Sequence, residues 1–326
     1  MSELKDGFAR PVSYLRLSVT DRCDLRCTYC MAERMQFLPK SDLLSIDELA
    51  RLSHKFIDLG IKKIRITGGE PLIRKGIMNL FQTLSARLGE DLEELTLTTN
   101  GTQLTRFAQP LSKLGVKRVN ISLDSLTEEV FAKLSRRQAL SQVLEGIEAA
   151  KQAGLHVKIN TVLMPENLAN IPSLMQWAHG QGFDMSLIEI MPMGQTGRDR
   201  RSQFLPMHTA KNSLDKNFTL TPSAFAHRHG GPSRYYDVRE TGGRIGFISP
   251  LTHNFCASCN RIRLTCTGRI YMCLGQDDHI DLRSVLRAGT DLETPIRQAM
   301  QIKPQAHDFS IEKTPTLERH MSVTGG

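Results

Sequence analysis

Apolar and polar positions follow two alternating patterns from residue 13 to about residue 193. Short runs rich in Val, Ile and Leu alternate with segments in which apolar residues recur every three or four positions, which predicts strands separated by helices. The predicted strands are Tyr14–Val19, Lys62–Thr67, Glu94–Thr99, Lys117–Leu123, His156–Leu163 and Phe183–Met191. Six such units predict parallel strands joined by crossover helices, so the predicted fold class is α/β, an incomplete (β/α)6 TIM-type barrel.

Two of the predicted helices have recognisable ends. Ile46–Leu59 follows Ser45, which is a preferred N-cap residue, and stops at Gly60. The second helix, Gln138–Ala153, is closed by Gly154. These helices are of the length expected for crossovers between parallel strands.

The pattern changes at residues 194–201, a polar segment that contains two glycines. The strands and helices predicted beyond it are Arg244–Ser249, Arg261–Thr265, Arg269–Cys273, Leu282–Arg287 and Leu292–Gln301. His208–Pro232 has weak periodicity and is interpreted as a partly ordered surface connection. The predicted domains are an N-terminal arm (residues 1–12), a partial barrel (13–193) and a C-terminal extension (194–326).

The composition restricts the class of protein. With 326 residues, 40% of them hydrophobic, the chain can bury a substantial core, and no run approaches the ~18 apolar residues of a membrane span. Seven cysteines without a secretion signal indicate the cytoplasm, with metal ligation or free thiols. The net charge of +8 favours an anionic ligand, but the lack of dense Lys/Arg blocks argues against nucleic acid.

Three cysteines with the spacing Cys23-x3-Cys27-x2-Cys30 follow the first predicted strand. Three thiolates suit a cubane iron–sulfur cluster in which one iron has no protein ligand, and an open position can bind a substrate or cofactor. A zinc site that lacks one ligand and three unrelated buried thiols are the alternatives. In parallel barrels, active groups collect at the C-terminal ends of strands, where both this loop and the Gly-Gly-Glu-Pro segment 68–71 lie.

A second set of thiols has the spacing Cys256-x2-Cys259-x13-Cys273, with Cys266 between them. The spacing alone leaves open a zinc site that uses all four thiolates. If residues 260–267 form a strand, alternate residues point to opposite faces. The two faces would carry Arg261, Arg263 and Thr265 on one side and Ile262, Leu264 and Cys266 on the other. Cys266 is then a packed thiol, and the two arginines can bind phosphate together.

The segment Thr20–Cys30, of sequence Thr-Asp-Arg-Cys-Asp-Leu-Arg-Cys-Thr-Tyr-Cys, resembles the signature of the radical S-adenosylmethionine (radical SAM) superfamily. The resemblance implies that its three cysteines hold a [4Fe–4S] cluster, that S-adenosylmethionine (SAM) binds the open iron, and that Tyr29 supports SAM. Members of the superfamily carry a similar Gly-Gly-Glu-Pro segment against the SAM amino group. This implies the same role for Gly69, where the missing Cβ permits a close approach.

From Leu15 to the C-terminus the chain is similar to the GTP 3′,8-cyclases, a radical SAM family, most of all in the block Tyr235–Leu274. The implied ligands of a second [4Fe–4S] cluster are Cys256, Cys259 and Cys273. The implied GTP contacts are Arg16, Arg65, Thr98, Lys158, Arg261 and Arg263, and the implied SAM contacts are Tyr29, Gly69, Ser122 and Met193. The implied catalytic residues are Arg261, Arg263, Gly325 and Gly326. The last two lie in a tail that enters the active site in the family, although a terminus is expected to be disordered by default.

The resemblance implies a lyase in which a 5′-deoxyadenosyl radical abstracts the ribose 3′-hydrogen of GTP. The product would be 3′,8-cyclo-7,8-dihydro-GTP, in the first step of molybdenum cofactor biosynthesis. The implied partners are GTP, a reductant such as flavodoxin or ferredoxin, and cyclic pyranopterin monophosphate synthase as the next enzyme; a homodimer is compatible with the family, and neither nucleic acid nor a membrane is expected. The alternatives are a two-cluster radical SAM enzyme that modifies peptides and a non-catalytic iron–sulfur or zinc protein.

Overall fold

The computed structural model describes residues 3–225, 231–312, 317 and 319–325. The strands are β1 (Tyr14–Ser18), β2 (Lys63–Thr67), β3 (Glu94–Thr99), β4 (Arg118–Ser122), β5 (His156–Leu163), β6 (Asp184–Glu189), β7 (Leu220–Pro222), β8 (Arg234–Val238), β9 (Arg244–Ile248), β10 (Arg261–Leu264), β11 (Arg269–Tyr271) and β12 (His279–Asp281). The helices are α1 (Ile46–Asp58), α2 (Ile77–Ser85), α3 (Leu104–Lys113), α4 (Glu128–Ser135), α5 (Leu140–Gln152), α6 (Ile171–Gly180), α7 (Arg200–Gln203), α8 (Met207–Leu214), α9 (Leu282–Arg287), α10 (Glu293–Gln301) and α11 (Met321–Thr324). Within these residues, no helix is long and apolar enough to cross a membrane.

All the strands belong to one open sheet of order β12-β11-β10-β1-β2-β3-β4-β5-β6-β9-β8-β7. The central strands from β10 to β9 run parallel, and antiparallel strands continue the sheet on both sides. The predicted incomplete α/β barrel is therefore confirmed. Strands β9 and β10, which follow the predicted boundary at residues 194–201, extend its parallel part from six strands to eight.

The six predicted barrel strands are confirmed to within two residues at each end. Every residue of β1 is buried, as expected for a parallel strand that is covered on both faces. Leu15 and Leu17 belong to the main hydrophobic core. The residues that alternate with them, Tyr14 and Arg16, point to the opposite, inner face of the sheet.

Helix α1 begins after Ser45, as predicted. The Ser45 hydroxyl accepts a hydrogen bond from Glu48 N at 3.1 Å, and Ser45 N donates to Glu48 Oε2 at 2.7 Å, which completes a capping box. Leu49, Leu52 and Phe56 on one face of the helix are buried in the main core. The apolar stripe thus fixes the helix on the outer face of the barrel and leaves the inner face to polar side chains.

The prediction for His208–Pro232 was wrong for two parts of the segment, which form regular secondary structure. Helix α8 begins at Met207, and β7 pairs with β8 in antiparallel register. The helix has only eight residues, and the strand has three that are largely exposed, so neither produces a clear period. Residues 226–230 lie outside the described part of the chain.

Candidate active site

The register of three neighbouring strands brings cationic side chains together on the inner face of the sheet. Strands β10, β1 and β2 place Arg263, Arg16 and Arg65 at paired positions. The row two residues earlier consists of Arg261, Tyr14 and Lys63. Because residues two apart in a strand share a face, both rows project to the same side of the sheet.

These rows line a cavity, here called the basic cavity. It brings together five of the six residues predicted to contact GTP and the three cysteines of the second set. They are Arg16, Arg65, Lys158, Arg261, Arg263, Cys256, Cys259 and Cys273. Phe255, Leu274 and Phe309 add an apolar part to the wall. The basic cavity therefore combines metal-binding thiols, positive charge and an apolar surface.

The five cations of the basic cavity that were predicted to contact GTP are buried or half-buried without a carboxylate partner among the described residues. Among the described residues, none of them forms a salt bridge. Burial, with a smaller effect from neighbouring cations, lowers the pKa of Lys158 and that of Arg263 well below their usual values. Lys158 Nζ donates to Tyr235 Oη at 2.6 Å. Such a concentration of like charge is unfavourable unless an anion enters the cavity.

Tyr14 gives a second indication of the electrostatic potential in the basic cavity. Burial raises the pKa of its phenol, but Arg65, Arg16 and Lys63 together outweigh burial and lower this pKa to about 8. The cavity thus stabilises negative charge at the position of the Tyr14 side chain.

A second cavity, here called the cysteine-loop cavity, lies at the C-terminal ends of the strands. The predicted site residues that line it are Cys23, Cys27, Tyr29, Cys30, Gly69, Thr98, Ser122 and Met193. Asn160, Ile188 and Met191 line both cavities, so the two cavities adjoin. Thr98, which the resemblance assigns to GTP, lies with the predicted SAM contacts, apart from the other five predicted GTP contacts.

Gly68 and Gly69 hold the end of β2 against the cysteine loop. Gly69 N donates to Thr20 O at 2.8 Å. A Cβ on Gly69 would overlap with the carbonyl oxygen of Arg22, and one on Gly68, whose φ is +148°, would overlap with that of Thr20. The sequence suggested a close approach to a ligand here; the close approach in the structure is to the backbone of the cysteine loop.

The cysteine loop is also anchored to the residues that follow β3 and β4. Asp24 accepts hydrogen bonds from Asn100 Nδ2 and from Thr102 Oγ1, each at 2.6 Å. Tyr29 Oη donates to Asp124 Oδ2 at 2.7 Å, and burial raises the pKa of Asp124 to about 6. The loop is therefore fixed from both sides before any ligand binds.

The N-terminal thiols fit the role of cluster ligands. Cys23, Cys27 and Cys30 border a single cavity. Burial raises the pKa of all three thiols, that of Cys30 to about 11. A thiolate at these positions therefore needs a cation beside it, and the iron of a cluster supplies positive charge directly at the sulfur.

Among the C-terminal thiols, burial raises the pKa of Cys273, as at the N-terminal set, whereas Cys259 lies in a different electrostatic environment. Burial raises the pKa of Cys259, but Arg261 and Lys303 outweigh it and lower this pKa to about 6. In the described part of the chain, no three or more His, Cys, Asp or Glu side chains are grouped as the ligands of one metal ion would be. Since they lower the pKa of Cys259, Arg261 and Lys303 favour a thiolate there, the form in which cysteine ligates a metal or a cluster.

The predicted strand ends early, at Leu264, so Cys266 lies two residues beyond β10; its side chain is nevertheless turned away from the basic cavity, as alternation predicted. Its side chain is completely buried, and it is not among the described residues that line either cavity. Burial raises its pKa to about 12, with the carboxylate of Asp21 adding to the shift. Cys266 is therefore a packed thiol that does not border the basic cavity.

Replacement of Cys266 and Cys273 by serine should have opposite effects on iron content. After anaerobic reconstitution we expect Cys266→Ser to keep about eight irons per chain and Cys273→Ser to keep about four, because a [4Fe–4S] cluster depends on its thiolates. Cys266→Ser should also lose about 1 kcal/mol of folding free energy, since it buries a hydroxyl among apolar groups. Iron and sulfide analysis checks this. If Cys266→Ser retained about four irons per chain and Cys273→Ser about eight, the third ligand would be Cys266.

In the described part of the C-terminal tail, Met321 lines the cysteine-loop cavity, and Gly325 is held by Arg263, a residue of the basic cavity. Ser322 and Thr324 in α11 are buried. Arg263 Nη1 donates to Gly325 O at 2.7 Å, and Gly325 N donates to Met321 O at 2.8 Å. Gly326 lies outside the described residues. A cation of the basic cavity thus holds the tail by its backbone.

Strand alternation indicates further cavity residues that the sequence analysis did not select. Lys63 lies two positions before Arg65 and lines the basic cavity with it. Arg118 and Asn120 occupy alternate positions in β4 and also line it. Lys63 and Arg118 both pair with Glu94, at 2.8 and 2.6 Å. Applying the period of two to β2 and β4, as was done for β10, would have found them.

Two family models match the chain. Radical SAM superfamily matches residues 17–178, and Molybdenum Cofactor Synthesis C matches residues 183–309. The GTP 3′,8-cyclase of Erythrobacter litoralis (strain HTCC2594) is 57% identical over 331 residues, which cover 100% of this chain and 99% of that protein. The GTP 3′,8-cyclase of Rhizobium etli (strain CIAT 652) is 56% identical, with 98% and 94% covered. The chain belongs to the GTP 3′,8-cyclase family.

This GTP 3′,8-cyclase family member is a radical SAM enzyme of molybdenum cofactor biosynthesis, and its cofactors are SAM and two [4Fe–4S] clusters. The alternative of a non-catalytic iron–sulfur or zinc protein is thereby removed. The fold also resembles the crystal structure of Streptococcus suis SuiB bound to S-adenosylmethionine, with a TM-score of 0.60 and 16% identity over 87% of this chain and 67% of that one. At this identity the similarity concerns the fold alone.

Proposed function

We propose that the chain converts GTP to 3′,8-cyclo-7,8-dihydro-GTP and that its two cavities bind different molecules. SAM binds in the cysteine-loop cavity, and GTP binds in the basic cavity. The observation that carries the proposal is the shared wall: Asn160, Ile188 and Met191 line both cavities, so a ribose in one lies beside the cofactor in the other. Proximity of this kind lets a short-lived reactive group reach its target.

The triphosphate is the part of GTP that the basic cavity fits best. GTP carries about four negative charges, and the cavity offers five cations that have no carboxylate partner among the described residues. Arg16, Arg65 and Arg263 lie side by side on three strands and can bind several phosphate oxygens at once. Lys158 approaches from the opposite side of the barrel, on β5.

Each cysteine set holds one cluster. Cys23, Cys27 and Cys30 hold the first, and Tyr29, Gly69, Ser122 and Met193 position SAM beside it. Cys256, Cys259 and Cys273 hold the second. When bound, the first cluster and SAM would supply the radical that removes the ribose 3′-hydrogen; the sugar carbon would then bond to the guanine 8-position, and the purine radical so formed would take one further electron from the reductant and one proton to give the dihydro product.

The chain must also exclude water while a substrate radical exists. Ile188 and Met191 give the boundary between the cavities an apolar surface. Arg263 and Gly325 act together from the C-terminal side, since the hydrogen bond between them holds the tail beside the Arg263 side chain, with Met321 in the wall of the cysteine-loop cavity. Gly326, outside the described residues, continues this tail, and Thr98 reaches the substrate from the cysteine-loop cavity.

The test is anaerobic incubation of the reconstituted protein with SAM, dithionite and each nucleoside triphosphate in turn. We expect 5′-deoxyadenosine and a cyclised nucleotide with GTP alone. SAM cleavage that does not depend on any nucleotide, or that rises only with a peptide, would favour the peptide-modifying alternative. Zinc in place of about eight irons per chain would contradict the proposal.

The remaining partners follow from this chemistry. We propose that flavodoxin or ferredoxin supplies the electron, and the net charge of +8 supports an acidic carrier. The product is then the substrate of cyclic pyranopterin monophosphate synthase. Both steps are proposed to take place in the cytoplasm.

A further inference from the structure

Lys303, which follows α10, is a buried lysine to which the proposed mechanism gives no role. Only 3% of its surface is exposed. Its Nζ donates to Met272 O at 2.9 Å, to Arg261 O at 3.2 Å and to Cys259 Sγ at 3.5 Å. An ammonium group has three donors, and all three of these acceptors belong to the C-terminal cysteine site.

The acceptors of Lys303 link two separate segments of that site. Arg261 stands two residues after Cys259, at the start of β10, and Met272 immediately precedes Cys273. One ammonium group therefore fixes the backbone next to two of the three cysteines, in addition to the sulfur of one of them. Its position is set by the fold, because the cysteine segments and residue 303 are distant in sequence.

The charge of Lys303 requires an anion, and the Cys259 sulfur is its candidate. Among the described residues Lys303 forms no salt bridge with a carboxylate. A buried ammonium group that meets only neutral acceptors is strongly disfavoured. When Cys259 ligates a cluster its sulfur is a thiolate, which supplies the missing negative charge.

Lys303 differs in this respect from Arg261, the other cation near the same sulfur. Arg261 Nη2 lies 3.9 Å from Cys259 Sγ, but its side chain also lines the basic cavity, where substrate would bind. Lys303 is not among the described residues that line the basic cavity. It thus acts on the cysteine site whether or not substrate is bound.

We propose that Lys303 is a positioning residue for the C-terminal cluster, which holds the Cys259 thiolate by a charged hydrogen bond and raises the reduction potential of the cluster. Net charge and hydrogen bonds to sulfur are among the factors that set the potential of such clusters. A fixed cation stabilises the reduced cluster, which carries one more negative charge than the oxidised one. The inference rests on the proposed assignment of Cys256, Cys259 and Cys273 as ligands.

The experiment uses a full-length background, Cys23→Ser/Cys27→Ser/Cys30→Ser, in which only the C-terminal cluster can assemble. Lys303→Met removes the charge at nearly constant length, and Lys303→Gln keeps a donor without the charge. Lys55→Met is the matched control: it removes a cation whose Nζ lies 2.8 Å from Glu293 Oε2 in α10, the helix that precedes Lys303, but which does not contact the cysteines. The midpoint potential of each protein is measured by anaerobic redox titration followed by EPR.

We expect the equilibrium constant for one-electron reduction of the C-terminal cluster to be at least tenfold lower in Lys303→Met. This corresponds to a midpoint potential about 59 mV lower. Lys303→Gln should show a smaller shift in the same direction, and Lys55→Met should match the background. Lys303→Met should also lose iron faster to a chelator. If Lys303→Met does not retain its cluster, the proposal is tested by the midpoint potential of Lys303→Gln, which should be lower than that of the background protein.

The two ways of failing are distinct. A background protein that retains about four irons, and whose potential is unchanged by both Lys303 substitutions, would overturn this inference while leaving the proposed ligands in place. A background protein that assembles no cluster would contradict the ligand assignment itself, and with it the role of Lys303.

Discussion

Cys27→Ser protein is expected to produce no measurable 5′-deoxyadenosine when incubated anaerobically with SAM, dithionite and GTP. The buried Cys27 thiol borders the cysteine-loop cavity with Cys23 and Cys30, and a three-thiolate cluster has no spare protein ligand. Loss of the cluster removes both the electron path to SAM and the iron to which SAM binds. Since the reaction has no other source of the radical, the loss should be complete.

The same substitution should leave the rest of the protein intact. The C-terminal cysteines border a different cavity, so Cys27→Ser should keep about four irons per chain and its affinity for GTP. Cys266→Ser is the matched control, because it makes the same chemical change at a buried thiol that borders neither cavity among the described residues. Product formation by Cys27→Ser at a rate near that of Cys266→Ser would show that SAM is cleaved elsewhere.

Much of the barrel could be predicted because its strands are local features of the sequence. The buried strand β1 has leucine at every second position, and α1 carries a capping box that marks its first residue. The pairing of β9 with β6 and of β10 with β1 joins residues far apart in sequence. Periodicity contains no information about such pairing, so the extension of the barrel by its C-terminal part became visible only in the structure.

In the candidate site, too, some residues could be predicted from local sequence patterns and others could not. Alternation along β10 correctly separated Arg261 and Arg263 from Cys266 before the fold was known. No local pattern indicated Lys303, because it reaches Cys259 from a loop 44 positions away in sequence. Motifs thus predicted residues that the structure places in the walls of the two cavities, whereas a residue that holds such a side chain in place, such as Lys303, required the tertiary structure.

Arg261→Ala and Arg263→Ala should each weaken GTP binding roughly 10- to 100-fold, because a buried charge-assisted contact contributes about 1.5–3 kcal/mol. SAM binding should be unchanged, since neither side chain is among the described residues that line the cysteine-loop cavity. Arg263→Ala should have the larger effect on turnover, as it also removes the hydrogen bond to Gly325 O. Titration of each ligand into the anaerobic protein measures both affinities.

Two further variants distinguish the loss of a charged contact with GTP from a general disturbance of the fold. Arg51→Ala removes an exposed cation from the outer face of α1, and its GTP affinity should equal that of the unmodified protein. Arg263→Lys keeps the charge but loses the planar set of donors, so its affinity should fall between those of the unmodified protein and Arg263→Ala. If GTP affinity is unchanged in both alanine variants, the arginine pair does not bind the triphosphate. An equal fall in GTP and SAM affinity would instead indicate that the substitutions disturb the barrel as a whole, since a contact in the basic cavity acts on one ligand only.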